Sequence, residues 1–198
     1  MEKILKGVLA GIVLSFVLSG MCFAQKAFEE VNKGEIPGQF LDTTLKTHPL
    51  GFLIWDEKEV IDTFDSKKKN ILWVDTRLLH LYKEGTVKGS VLLTYDKNET
   101  LPEAELSETK VLTKASLLEE IAKIDPVLEN VTVVFFCQGP KCHRSYNAAL
   151  RAVQNWGFKP EQIIWFRAGF PLLFKYLKES PKLERKMNRY VQGDLVGM

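Results

Sequence analysis

The chain has 198 residues, 45% of them hydrophobic, with 27 Lys and Arg against 25 Asp and Glu, which supports one substantial core in one domain. A net charge of +2 is too small to propose a nucleic-acid or polybasic-membrane partner. Its three cysteines are too few for a small disulfide scaffold and lack the companions of a four-ligand zinc cluster.

Residues 1–24 read as a secretory signal peptide. Lys3 and Lys6 supply the positive start, residues 7–21 are uncharged and rich in Leu, Val and Ile, and Cys22 and Ala24 place small residues before a cleavage point after Ala24. The 15-residue apolar stretch is short of the ~20 residues that a membrane span needs. An uncleaved anchor is the alternative, and a lipoprotein is disfavoured because Met21 stands before Cys22. Cleavage removes Glu2, Lys3, Lys6 and Cys22, leaving 174 residues with 25 basic and 24 acidic side chains. The mature protein is then expected in the periplasm, without stable membrane association, carrying two cysteines, Cys137 and Cys142, in an oxidising compartment.

Residues 25–48 mix Gly34, Pro37 and Gly38 with polar residues and read as an irregular N-terminal extension. Asp56 is placed to cap a helix whose Val60, Ile61 and Phe64 share one face. Residues 71–74 form a short continuous apolar run, as expected of a strand covered on both faces, and residues 91–93 form another. Residues 97–109 are polar and acidic and read as a loop. A helix over 114–124 carries Leu117, Leu118, Ile121 and Ile124 on one side, and Pro126 stops it. Residues 131–136 are strongly strand-forming and end at Cys137. A loop over 138–143 leads to a helix over 145–156, with Ala149, Leu150, Val153 and Trp156 inward and Gly157 as its C-terminal stop. Residues 163–166 read as a strand, 172–177 as a helix, and 181–198 as a charged C-terminal tail that docks as a helix or frays. Strands alternating with helices imply an α/β domain with a mainly parallel sheet.

The chemistry concentrates where one strand meets one helix. Ligands of open parallel sheets bind beyond the carboxyl ends of the strands, and Cys137 stands there. Loop amides and the helix dipole stabilise an anion at such a spot, and Lys141, His143 and Arg144 add positive charge. A thiolate is favoured by those surroundings and becomes a better nucleophile. Gly139 and Pro140 shape the turn, and the Ser145 hydroxyl is placed to cap the helix. A buried structural cysteine is the bland alternative. Asp75 and Arg77 are expected to form a buried ion pair that fixes the loop toward Gly85, and Arg167 is a candidate to face the pocket. His48 and His80 have no cluster around them, and Trp55, Trp73, Trp156 and Trp165 are most simply core. Two cysteines and one nearby histidine lack a fourth ligand, so neither a metal nor another cofactor is expected.

These residues carry a resemblance to the rhodanese-like (sulfurtransferase) domain family. Val133-Val134-Phe135-Phe136-Cys137 followed by Arg144-Ser145-Tyr146-Asn147-Ala148-Ala149 is similar to the family's strand, nucleophile loop and helix. Asn155-Trp156-Gly157-Phe158 resembles the end of that helix, and Ile164 to Pro171 the Gly-containing segment near the domain's C-terminus. Val74-Asp75-Thr76-Arg77, Tyr82 and Gly85-Thr86-Val87-Lys88-Gly89-Ser90 resemble its N-terminal signature. The matches place the domain at residues 49–180 and imply a single α/β domain, its mainly parallel sheet flanked by helices on both faces. The family's loop spans six residues from cysteine through arginine, whereas Cys137 through Arg144 spans eight and holds a second thiol, Cys142. That pattern resembles an exported bacterial subgroup with paired loop cysteines. Thr86 and Leu173 stand where the family usually has His and Trp, changes read as structural.

The resemblance implies transfer of sulfane sulfur through a cysteine persulfide, from a small sulfur-containing anion such as thiosulfate or polysulfide to cyanide or a thiol acceptor. Cys137 is the first candidate for the nucleophile, by its strand-end position. Cys142 is the second candidate or a redox partner, and Arg144 the electrostatic partner. Gln138, Gly139, Lys141, His143, Ser145 and Arg167 are candidate substrate-binding residues, with Asp75 and Arg77 structural. The two cysteines have ample chain for the roughly 5.5 Å Cα separation of a disulfide, permanent or reversible. A non-catalytic binding module and a thiol–disulfide carrier therefore stay open as alternatives. A phosphatase is disfavoured, because six residues rather than five separate Cys137 from Arg144 and no general acid is evident nearby.

Overall fold

The apolar runs assemble into one parallel sheet. The computed structural model describes residues 27–97, 109–127 and 130–195. Residues 1–24, and most of the loop expected over 97–109, lie outside them.

In chain order the elements are β1 (Leu53–Trp55), α1 (Glu57–Asp65), β2 (Ile71–Asp75), α2 (Leu79–Glu84), β3 (Thr86–Val87), β4 (Val91–Leu92) and α3 (Lys114–Ala122). They continue with β5 (Thr132–Phe136), α4 (His143–Gln154), β6 (Ile163–Phe166), α5 (Gly169–Glu179), α6 (Pro181–Glu184) and β7 (Val191–Gln192). The five-stranded sheet has the order β1-β6-β5-β2-β4, every neighbouring pair parallel. This is the expected α/β fold.

The central strand β5 shows why the run is apolar from Val133 to Phe136. Val133 and Phe135 enter one buried cluster with Leu117 and Ile121 of α3 and Ala148, Ala149 and Ala152 of α4. Val134 and Phe136 enter the other, with Val60 and Ile61 of α1 and Phe170, Leu173, Phe174 and Leu177 of α5. Alternate side chains of a strand point to opposite faces, so a sheet covered on both faces needs apolar residues at every position. Each fully buried aliphatic or aromatic side chain contributes roughly 1.5–3 kcal/mol, which makes these layers the main support of the strand ends.

The helix starts follow from their caps. Asp56 N donates to Glu59 Oε2 at 2.9 Å before α1, and Thr113 Oγ1 accepts from Ser116 N at 3.1 Å before α3. Helix α4 begins two residues before the expected start, with Cys142 as its N-cap. Ser145 is therefore inside the helix, buried, and its Oγ accepts from Trp165 Nε1 at 3.2 Å. It neither caps the helix nor reaches the cleft, because the helix already begins at His143.

Both ends of the described chain pack onto this frame. Phe40, His48 and Leu50 of the N-terminal segment are buried against the sheet. Toward the C-terminus, β7 pairs antiparallel with β3 and buries Tyr190 and Val191. Residues 181–192 thus form a short helix, a turn and a strand rather than a fraying end.

Candidate active site

The carboxyl ends of β2, β5 and β6 converge on the loop of residues 137–142. The Phe136 carbonyl accepts from Thr76 N at 3.0 Å and from Thr76 Oγ1 at 2.8 Å, so the segment after β2 holds the end of β5. The Cys137 carbonyl accepts from Phe170 N at 2.9 Å, at the start of α5. Within the loop, Cys142 N donates to the Gly139 carbonyl at 2.9 Å and folds the chain back toward β5. From the far side, Gly34 N donates to the Lys141 carbonyl at 3.2 Å.

Gly169 is required for this arrangement. Its φ is +70°, and a Cβ there would lie 2.6 Å from Gly139 N and still closer to the Cys137 carbonyl oxygen. Glycine alone allows α5 to approach the loop backbone this closely.

Cys137 and Cys142 form a disulfide across the loop, with Cα atoms 6.1 Å apart, inside the usual range. The two sulfurs have different surroundings. Cys137, the first candidate from sequence, is 1% exposed and does not line the cleft above the loop. Cys142 is half-buried and lines it. The cleft has a volume of about 690 Å³ and is walled by Leu78, Leu81, Pro140, Pro171 and Leu172, with Lys33, Gln138, Gly139, Lys141, His143 and Arg144 supplying the polar lining. Among the described residues, its charged lining consists of Lys33, Lys141 and Arg144, with no carboxylate. The site suits an anion with an apolar portion.

Arg144 is oriented by the Tyr95 carbonyl, which accepts from its Nε at 3.0 Å. His143 lies on the cleft, but burial holds its pKa below the ordinary value, and the Arg144, Lys97 and Lys33 cations push it the same way. The imidazole is therefore neutral at neutral pH, contrary to the charge expected from sequence. Among the described residues, no backbone acceptor takes the amide hydrogens of Gln138, Gly139 and Lys141; Gln138 and Lys141 are exposed, whereas Gly139 is buried with its nitrogen against Gly169.

Asp75 and Arg77 are 0% and 1% exposed and pair at 2.7 Å between Oδ2 and Nη2. Arg77 also donates to the Gly85 carbonyl and, at 3.4 Å, to Gln138 Oε1, and its guanidinium lies over the Phe170 ring. The pair thus ties the loop after β2 to the cysteine loop. Thr86 donates from Oγ1 to Asp75 Oδ2 at 2.7 Å, and Leu173 is core. Arg167 is not a pocket residue. It is buried, grips the Asp56 carboxylate through Nε and Nη2, and donates to the carbonyls of Phe40, Asp42 and Leu45. These acceptors turn it toward the N-terminal segment.

Lys33, Leu78, Leu81, Pro171 and Leu172 were not singled out from sequence. Leu78 and Leu81 follow the end of β2, and Pro171 and Leu172 lie just past the end of β6, where the strand-end rule points. Lys33 had no such signal. Its segment is tied to α4 by Val31 N donating to Asn147 Oδ1 at 2.9 Å, Asn147 Nδ2 returning a bond to the Val31 carbonyl, and the Glu30–Arg151 ion pair. Among the described residues, no group of three or more His, Cys, Asp or Glu is arranged to hold a metal ion, and no helix is long and apolar enough to cross a membrane.

None of the curated proteins matches the chain. Among solved structures it is similar to Saccharomyces cerevisiae Ygr203w, described as a homolog of single-domain rhodanese and the Cdc25 phosphatase catalytic domain, at 20% identity over 71% of this chain and 86% of that one, with a TM-score of 0.45. It is also similar to an As-Sb reductase from Leishmania major at 13% identity, over 70% and 97% of the two chains, with a TM-score of 0.45. The BH2092 protein of Bacillus halodurans matches at 20% identity over 71% and 77%, with a TM-score of 0.41. The family model for the rhodanese-like domain matches residues 57–175, more than half of the chain and the whole of the frame from α1 to the middle of α5, so this chain belongs to the rhodanese-like domain family.

Proposed function

We propose that the protein is a sulfurtransferase that takes sulfane sulfur onto a loop cysteine and passes it to a thiol or to cyanide. The observation that carries this reading is the position of Cys142: N-cap of the twelve-residue helix α4, in a cleft whose charged lining is cationic. The helix terminus and the lysines favour a thiolate there. In the reduced protein, that thiolate attacks the outer sulfur of thiosulfate or a polysulfide. The donor's S–S bond breaks, its electron pair leaves with sulfite or the shorter polysulfide, and Cys142 holds a persulfide. Lys33, Lys141 and Arg144 stabilise the donor and the departing anion. An acceptor thiolate or cyanide then attacks the outer sulfur and returns Cys142 as thiolate.

A thiol–disulfide carrier is the second reading, favoured by the closed Cys137–Cys142 bridge. Export is part of the proposal. Lys3, Lys6 and the apolar residues 7–21 support it, and a disulfide persists in an oxidising compartment.

The test uses protein lacking residues 1–24, reduced and freed of reductant, given thiosulfate or polysulfide together with excess cyanide to read thiocyanate, and given donor alone to read sulfur gain. Wild type and Cys137→Ser should give thiocyanate, and Cys142→Ser should give none. The absence of both thiocyanate and sulfur gain in Cys137→Ser with every sulfane donor tried overturns sulfur transfer. The mass of protein expressed with its full leader checks removal of residues 1–24.

A further inference from the structure

We infer that Cys137 is a resolving cysteine: when no acceptor takes the sulfur, it attacks the Cys142 persulfide internally and releases hydrosulfide. This rests on the sulfur-transfer reading above and adds a second activity to it, reduction of sulfane sulfur by the loop dithiol.

The geometry separates the roles of the two thiols. Cys142 faces the cleft and is reached by a donor, whereas Cys137 is 1% exposed beneath the loop. An external donor does not reach Cys137, yet its sulfur is within bonding reach of Cys142, as the bridge between them shows. The loop is already folded for closure. Phe136, Cys137 and Lys141 each have their carbonyl held from outside the loop, by Thr76, Phe170 and Gly34, and the Cys142 amide bonds to the Gly139 carbonyl. Attack from Cys137 therefore needs no movement of a strand.

The outcome depends on which persulfide sulfur is attacked. The bridge lies between Cys137 and Cys142, so the Cys137 thiolate attacks the inner sulfur, that of Cys142. The bond between inner and outer sulfur breaks, and the outer sulfur leaves with the electron pair as hydrosulfide. The two cysteines are oxidised to the disulfide, and the sulfane sulfur is reduced to sulfide. A dithiol reductant then restores both thiols by exchange for the next cycle. With an acceptor present, the same persulfide instead hands on its outer sulfur and no disulfide forms. The buried thiol thus sets a branch between transfer and reduction.

The experiment follows fully reduced, reductant-free protein after one equivalent of polysulfide, without acceptor, by intact mass and sulfide assay. Wild type should lose two hydrogens with no retained sulfur and release sulfide as the disulfide appears. Cys137→Ser should keep one added sulfur and release no sulfide by this route. Increasing cyanide in wild type should divert sulfide into thiocyanate in proportion, a partition that does not depend on any variant folding. A wild type that retains its added sulfur without forming the disulfide overturns the inference and leaves sulfur transfer standing. Sulfide yield that cyanide does not reduce also overturns it. No sulfur gain in Cys137→Ser, with no thiocyanate from wild type, overturns the underlying reading instead.

Discussion

Replacing Asp75 by Asn removes one charge from the fully buried pair behind the cysteine loop. Asp75 accepts from Arg77 N at 3.0 Å, from Arg77 Nε at 2.9 Å, from Arg77 Nη2 at 2.7 Å and from Thr86 Oγ1 at 2.7 Å. Asn has nearly the same volume, so the change leaves no cavity. It strands the Arg77 guanidinium at 1% exposure with carbonyl and amide oxygens but no counter-charge. Breaking a buried pair from one side costs about 3–5 kcal/mol, a large share of the roughly 5–15 kcal/mol that holds a domain together. With a urea slope of about 2 kcal/mol per M, the midpoint should fall by about 2 M. Arg77 also donates to Gln138, so sulfur loading on Cys142 should slow as well. Removing the stranded charge too, in Asp75→Asn with Arg77→Met, should recover part of the stability, because the penalty comes from the uncompensated cation. A midpoint loss under about 0.5 M at unchanged slope, near 1 kcal/mol on that slope, or a double variant no more stable than the single one, refutes this account.

Two further perturbations separate site from scaffold. Gly169→Ala should lose at least about 1–2 kcal/mol from its left-handed backbone and should slow sulfur loading, since its Cβ meets the cysteine loop. Gly157→Ala, at φ +77° with nothing within 4 Å of its Cβ position, should cost only the backbone share and leave loading unchanged, and equal loading rates in the two variants refute the contact. His48, buried among aromatic rings, is pushed down to about 4 by desolvation, so between about pH 6.5 and pH 4 the unfolded chain binds the extra proton and stability rises with pH. Urea midpoints should therefore fall as pH drops through that window, and less steeply in His48→Gln. His143 contributes with the same sign, so the slope is reduced and not abolished; an identical pH slope in the variant refutes the assignment.

The elements that local pattern encodes were legible from sequence. Residues 71–74, 133–136 and 163–166 are apolar at every position because both faces of their strands are covered, and α1, α3 and α4 carry their apolar faces at helical spacing. The loop between β5 and α4 was legible for the same local reason. The deviations occur where partners are distant in the chain. Arg167 stands at a strand end like a pocket residue, but Asp56, 111 residues away, and three carbonyls take its donors. Ser145 has the side chain of a cap, but Cys142 takes that position and the helix begins at His143. Residues 181–192 gain their order from pairing with β3, which no periodicity over so short a strand announces.

The sequence by itself determined the α/β class, the parallel sheet and the position of the cysteine-bearing loop between β5 and α4, because burial on both sheet faces and a strand–loop–helix junction leave their marks residue by residue. The tertiary structure decided which sulfur faces the cleft, that His143 is neutral there, and that Lys33 joins the charged lining. Those outcomes depend on burial and on charges brought together by the fold. The bond from Val31 to Asn147, for example, spans 116 residues, and no local pattern records such a contact.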